Sequence, residues 1–177
     1  QTIDYSRRFY PNMPDIPIIV PFLVALAVCM LLGLFNGTVI AKFAIPPFIV
    51  TLGTQVIAWG VNLLYFDLPP NSSQPIGGVK KSITYMGSGL LGGKVPVIIL
   101  IALAVTLAVW FILKKLRFGR NVYAVGGNPA AARLAGINAD AVKRGLFILS
   151  SCLASLGGII LASRMNTGQP GAASDVD

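Results

Sequence analysis

The sequence predicts an all-α fold, a polytopic membrane helix bundle with about four transmembrane helices in this stretch. Three observations predict it. Four stretches of about twenty residues or more carry no formal charge: Asp15 to Lys42, Lys42 to Asp67, Lys94 to Lys114 and Arg144 to Arg164. Of the 177 residues, 55% are hydrophobic and 11% charged, against roughly 25% charged in soluble domains. The basic residues flank the apolar stretches and are not gathered on one amphipathic face. A helix rises about 1.5 Å per residue and a hydrocarbon core is roughly 30 Å thick, so each stretch is long enough to cross. Lipid leaves no partner for an open backbone group, which makes each crossing segment a helix.

Residues 1–177 read as one transmembrane domain. Gln1 to Pro17 is a polar arm with Pro11, Pro14 and Pro17. The first span covers about 18–40 and contains Gly33 and Gly37, a GxxxG pair that lets two helices approach closely. Pro46-Pro47 interrupts the apolar run, and proline in a first helical turn costs little, so the second span is placed at about 47–66. Thr51, Thr54, Gln55 and Asn62 lie in it. Polar side chains within a span face neighbouring helices or an aqueous path, and both readings stay open here. Residues from Asp67 to Lys94 are rich in Pro, Ser and Gly and are expected to form an external loop. Its Gly87 to Gly92 string fits GxGxxG, but no βαβ unit surrounds it, so it is not read as a dinucleotide site. The third span is placed at about 95–113 and the fourth at about 145–163. Ser151, Ser155, Gly158 and Ala162 give the fourth a small-residue face for a close helix contact.

Charge sets the orientation. If the connection 114–144 is cytoplasmic, the inner side holds eight basic residues and one acidic residue, the outer side six and five. The Lys/Arg bias favours that assignment. A net charge of +8 without a binding motif does not point to nucleic acid. Cys29 and Cys152 lie inside apolar stretches and read as small buried hydrophobes. With no histidine, no carboxylate pair and no nucleophile–base arrangement, the chain is expected to be no enzyme and to hold no metal or cofactor. Gln1 and the loop-like Ala173 to Asp177 suggest an internal piece of a longer polypeptide.

The basic connection carries the functional signal, because about thirty residues is more than two adjacent spans need. Asn128 can cap a helix, Pro129 fits its first turn, and Ala130-Ala131-Ala132-Arg133-Leu134-Ala135 are strong helix formers. Gly136 can end it in a left-handed conformation. A second short helix is expected near Asn138, with Asp140 favourable at its start. Such a helix serves either as a docking handle for a partner or as an interfacial helix held by anionic membrane lipid.

Phe118-Gly119-Arg120-Asn121-Val122-Tyr123-Ala124-Val125-Gly126-Gly127-Asn128-Pro129, continuing to Gly136-Ile137, resembles the cytoplasmic loop of ribose- and galactoside-type ABC sugar importer permeases. Pro47 to Thr54 and Leu34 to Gly37 resemble two further recurring segments of that family, and Asn62 to Asp67 leans to the galactose/methyl-galactoside branch. Ala131, Ala132 and Gly136 match the Ala, Ala and Gly of the Glu-Ala-Ala-x-x-x-Gly coupling motif, while Ala130 replaces its acid. The resemblance implies a multi-pass subunit of a bacterial inner membrane, working as a homodimer. It also implies a cytoplasmic ABC ATPase that grips Gly126 to Gly136, and an external sugar-binding protein. ATP and magnesium would then belong to the ATPase. Members are about twice as long as this chain. A neutral sugar needs hydrogen-bonding groups, so Asn36, Thr51, Thr54, Gln55 and Asn62 are the candidate path residues. Two rivals remain. A secondary transporter would usually carry a mid-membrane ionisable residue, which these spans lack. A non-transporting scaffold subunit would bring down no ATPase.

Overall fold

A computed structural model describes residues 17, 19–68, 76–77, 81–91 and 95–168. Four helices among them are long and apolar enough to cross a membrane: α1 (Ile19–Phe43), α2 (Pro47–Asp67), α4 (Val97–Lys115) and α7 (Ala139–Met165). Three shorter ones join them: α3 (Lys81–Ser88), α5 (Arg117–Gly127) and α6 (Pro129–Leu134). Two small antiparallel ribbons complete the described structure. In one, β1 (Ile76–Gly77) pairs with β4 (Thr167–Gly168), Ile76 opposite Gly168. In the other, β2 (Leu90–Leu91) pairs with β3 (Val95–Pro96), Leu90 opposite Pro96.

Local sequence sets where the helices start and stop. α1 gives way to three irregular residues, of which Ala44 takes φ 50°. Pro46 is extended at ψ 130° and Pro47 opens α2, where its missing N–H would have had no intrahelical partner. Pro96 is likewise extended, at ψ 130°, just ahead of α4.

α1 and α7 form the principal contact. They run antiparallel, since Gly33 faces Ser151 and Phe147 while Gly37 faces Phe147 and Arg144. A Cβ on Gly33 would run into Ser151 Oγ and sit 2.7 Å from the Phe147 carbonyl oxygen. One on Gly37 would lie 2.9 Å from Arg144 Cα. Gly33, Gly37 and Ile40 are the buried residues of α1. Lipid tails are as apolar as leucine, so close packing and not water exclusion holds these helices together. Elsewhere the long helices show apolar side chains outward, among them Leu23, Leu31, Ile57 and Leu103.

The expected small-residue face of the fourth span is only half used. Ser155 is buried and Ser151 meets Gly33. Gly158 and Ala162 are exposed, and a Cβ on Gly158 would meet nothing within 4 Å. Gly158 lies within roughly 20° of Ser151 around the helix, yet nothing stands over it as Gly33 stands over Ser151. Past it α3 takes over, with Gly87 seated against Ser163 and the Arg164 backbone.

Three features differ from the sequence expectation. The stretch read as an external loop contains α3, because the Gly87-Ser88-Gly89 string serves close approach and helix termination. Gly89 N–H donates to the Tyr85 carbonyl at 2.8 Å, which closes the helix. The basic connection contains the 11-residue α5. The short helix expected near Asn138 is the start of α7, which continues unbroken through Gly145 for 27 residues. Residues 1–16 of the N-terminal arm, the Gly92-Gly93-Lys94 end of the glycine-rich string and residues 169–177 lie outside the described residues.

Candidate functional site: the capped unit at the basic end of the bundle

The basic connection folds into a compact unit of α5, α6 and the first turns of α7. It begins at a sharp corner. Leu116 is extended at φ −86° and ψ 156°, which ends α4 and turns the chain into α5. Gly119 is buried there against Leu113, and a Cβ would overlap the Leu113 carbonyl. The Phe118 ring covers Gly145 on α7, where a Cβ would lie 2.7 Å from Phe118 Cε2. Two neighbouring residues thus fix α5 to two long helices at once. Phe118, Val122 and Val125 recur at four- and three-residue spacing, one face of a helix. Val125 is buried with Ala132, Ala139 and Val142, and Val122 and Ile137 pack on them. Each of the three helices therefore contributes to one local core.

α6 is closed at both ends. Asn128 Oδ1 accepts from the amides of Ala130 and Ala131, both at 3.0 Å, which satisfies two of the open donors of its first turn. Pro129 occupies that turn. At the far end Gly136 N–H donates to Arg133 O and Ile137 N–H to Ala132 O, each at 3.0 Å, with Gly136 at φ +80°. This is the Schellman arrangement, which favours glycine at the left-handed position. Asn138 Oδ1 then accepts from Ala141 N at 2.9 Å and starts α7. Arg133 Nη2 meets Asp140 Oδ1 at 3.3 Å and ties α6 to α7. Both side chains are largely exposed, so this pair contributes little energy.

The caps predict a measurable effect. Asn128→Ala is expected to destabilise α6 by about 1 kcal/mol. Gly136→Val, which forces a β-branched residue to positive φ, is expected to cost about 1–2 kcal/mol. Hydrogen exchange of the Ala130, Ala131 and Ile137 amides checks both. Unchanged protection in both variants would contradict the capping account.

The residues singled out from sequence separate into groups. Asn128, Pro129 and Gly136 shape α6. Ala131 is exposed, whereas Ala132 is 4% exposed and faces the local core. Gly126 and Gly127 end α5, are exposed, and would tolerate a Cβ. Among the candidate path residues, Thr54 Oγ1 bonds Asn36 Oδ1 at 2.6 Å, which joins α2 to α1. Thr51 Oγ1 donates back to Pro47 O at 2.9 Å, while Gln55 and Asn62 are exposed. Thr51, Gln55 and Asn62 fall within roughly 40° of one another around α2, and Thr54 lies off that stripe toward α1. In a double-mutant cycle, Asn36→Ala and Thr54→Val are expected to couple by about 0.6 kcal/mol, typical of hydrogen bonds between spans. Additive effects on thermal stability in detergent would show that the two side chains do not interact. Sequence reasoning missed the Phe118, Gly119 and Gly145 joint and the outward side chain of Leu134. The Phe118–Val122–Val125 spacing was the available signal for the joint.

This geometry is that of a multi-pass membrane protein with an ordered unit beyond one end of its spans. A family model described as "Branched-chain amino acid transport system / permease component" matches residues 5–176. The galactose/methyl galactoside import permease of Escherichia coli (strain K12) is 34% identical over 170 residues, covering 94% of this chain and 50% of that protein. The ribose import permease of Haemophilus influenzae is 35% identical over 156 residues, 88% of this chain and 48% of that protein. That of Bacillus subtilis (strain 168) is 38% identical over 136 residues, 76% and 41% respectively. The chain spans about half the length of these curated relatives. No solved structure matches it significantly. The chain belongs to the permease-component family of these transport systems, as the resemblance of its basic loop implies.

Proposed function

We propose that this chain is part of the membrane-spanning subunit of an ATP-driven ABC importer for a monosaccharide or small glycoside of the galactose or ribose class. Its place is a bacterial cytoplasmic membrane, with the basic connection on the inner side, as the Lys/Arg bias favours. A cytoplasmic ATPase docks on the α5–α6–α7 unit and supplies ATP and Mg²⁺ chemistry. An external sugar-binding protein delivers the sugar, and two permease copies enclose the path. The family model's description names branched-chain amino acids, whereas the relatives above are named for sugars. The sugar assignment rests on those relatives.

The observation that carries the reading is the doubly capped α6, fixed by a local core and by the Phe118–Gly145 and Gly119–Leu113 contacts to the ends of α4 and α7. A helix held this way moves with the spans. Pulling on it biases the bundle between two packings, which is how ATPase closure would reach the path. Along α2, Thr51, Gln55 and Asn62 supply hydroxyl and amide groups of the kind a neutral sugar needs. Polar groups of this sort rarely face lipid.

Uptake measurements test the reading. Vesicles holding the full-length permease with its ATPase should accumulate labelled galactose or ribose when ATP is supplied. An imposed sodium or proton gradient without ATP should give none. Accumulation driven by the gradient alone would replace this reading with a secondary transporter.

A further inference from the structure

α4 and α7 are tied to each other near their ends and leave a gap between. At the basic end α5 bridges them, with Gly119 on Leu113 and Phe118 on Gly145. Toward the other end α3 does so. Gly87 sits against Ser163, and just past α3 the Gly89 carbonyl accepts from the Val97 amide at 2.9 Å. Between these two crosspieces lies an open groove of about 580 Å³. Val105, Val109 and Leu113 form one wall, and Leu153, Leu156 and Ile160 the other. Thr106 brings a hydroxyl to the groove, but its Oγ1 already donates to Ala102 O at 2.8 Å.

The groove suits a hydrocarbon chain better than a helix. From Leu113 to Ile101 it follows α4 for roughly 18 Å. Spread over that length, its volume leaves a slot roughly 6 Å across, against about 10 Å for a helix with its side chains. One extended acyl chain fits such a slot. Its methylenes supply the dispersion contacts that the two walls do not make with each other.

Charge selects the lipid. Trp110 lines the groove near its basic end, and Lys114 Nζ stands 5.2 Å from the centre of that ring. Lys115 shares the last turn of α4, and Arg117 opens α5. Tryptophan and lysine are residues that settle at headgroup level. Asp140, the one acid among residues 114–144, is engaged by Arg133. A headgroup at this end therefore meets an excess of positive charge, which favours a net negative one.

We infer that the α4–α7 groove holds one acyl chain of an anionic phospholipid, whose phosphate rests on Lys114 beside Trp110. The lipid belongs to the leaflet at the basic end and joins two spans across the gap between them. This goes beyond the importer reading and does not depend on it.

The test uses the full-length permease in vesicles of phosphatidylglycerol and phosphatidylcholine. A trace of either lipid carries a photoreactive diazirine in its acyl chain, and labelled residues are mapped by mass spectrometry. The phosphatidylglycerol probe should label both walls, residues 101–113 and 153–160, about fivefold or more above the phosphatidylcholine probe. Lys114→Gln should lower that preference by about fivefold, the size expected for one basic residue at the membrane surface. Gly157 also lines the groove, and a Cβ there would meet nothing within 4 Å. Gly157→Phe should therefore fill the slot and cut the labelling of both walls severalfold. Thr106→Phe should do the same from the opposite wall, so a folding failure in one variant leaves the other. Labelling that spares residues 153–160 would overturn the inference, by showing that the rest of the permease or a second copy fills the groove. Equal labelling by the two probes would overturn it in favour of ordinary bilayer lipid. Labelling undiminished by both filling variants would also overturn it. Each of these outcomes leaves the importer reading intact.

Discussion

Gly37→Leu is expected to push α1 and α7 apart and to leave a protein that inserts but does not hold its fold. A Cβ at this position would already lie 2.9 Å from Arg144 Cα and 3.2 Å from Phe147 Cβ. Both neighbours are backbone or the root of a side chain, so neither can swing away, and the helices must separate. Separation affects every contact from Ile40 to Gly33, because in lipid the association depends on close fit. Overpacking of this kind costs roughly 1–3 kcal/mol for modest insertions and more where the backbone must move. The melting temperature in detergent should fall by several degrees, and Gly33→Leu should act in the same direction. Gly53→Leu is the control of equal chemistry, since nothing lies within 4 Å of a Cβ there. It should leave detergent stability nearly unchanged. Equal destabilisation by all three would mean that the α1–α7 contact is not the one holding the bundle.

Gly119→Val should have the second largest effect, and a different one. Its Cβ would overlap the Leu113 carbonyl, so α5 cannot fold back on α4 as it does here. The spans do not depend on that corner and should still insert and pack. The α5–α6–α7 unit should loosen, because Phe118 is drawn off Gly145 and Val125 off its neighbours. Trypsin acting on inside-out vesicles should then cut at Arg117 and Arg120 many times faster than in the unsubstituted protein, and ATPase recovery should fall. Gly126→Ala is the matched control for the tryptic readout, in open space within the same helix. A tryptic pattern unchanged by Gly119→Val would show that the corner does not set the position of α5.

The spans were legible in the sequence because lipid imposes a simple requirement, an apolar length of about twenty residues with paired backbone. Their ends were less so. Arg144 marks where charge begins, and charge marks the edge of lipid, not the end of a helix. The helix itself starts where Asn138 caps it, beyond the charge boundary. The caps of α6 were readable from Asn128, Pro129 and Gly136, since capping is local chemistry. α3 was hidden because Gly87 and Gly89 resemble loop composition, whereas Gly87 seats the helix against Ser163 and Arg164 and Gly89 closes it on Tyr85. The partner of the Gly33–Gly37 pair was also hidden: a GxxxG pair announces a close contact but not which helix makes it. The candidate path residues separated only in three dimensions, with Asn36 and Thr54 bonded to each other and Gln55 and Asn62 facing outward.

The account stands on the basic unit lying in the cytoplasm, where an ATPase can reach it. Arg117→Cys, in a full-length permease freed of its native cysteines, measures this most directly with a membrane-impermeant maleimide. The account predicts labelling in inside-out vesicles and none in intact cells. Labelling in intact cells, with none in inside-out vesicles, would place the capped unit outside and contradict it.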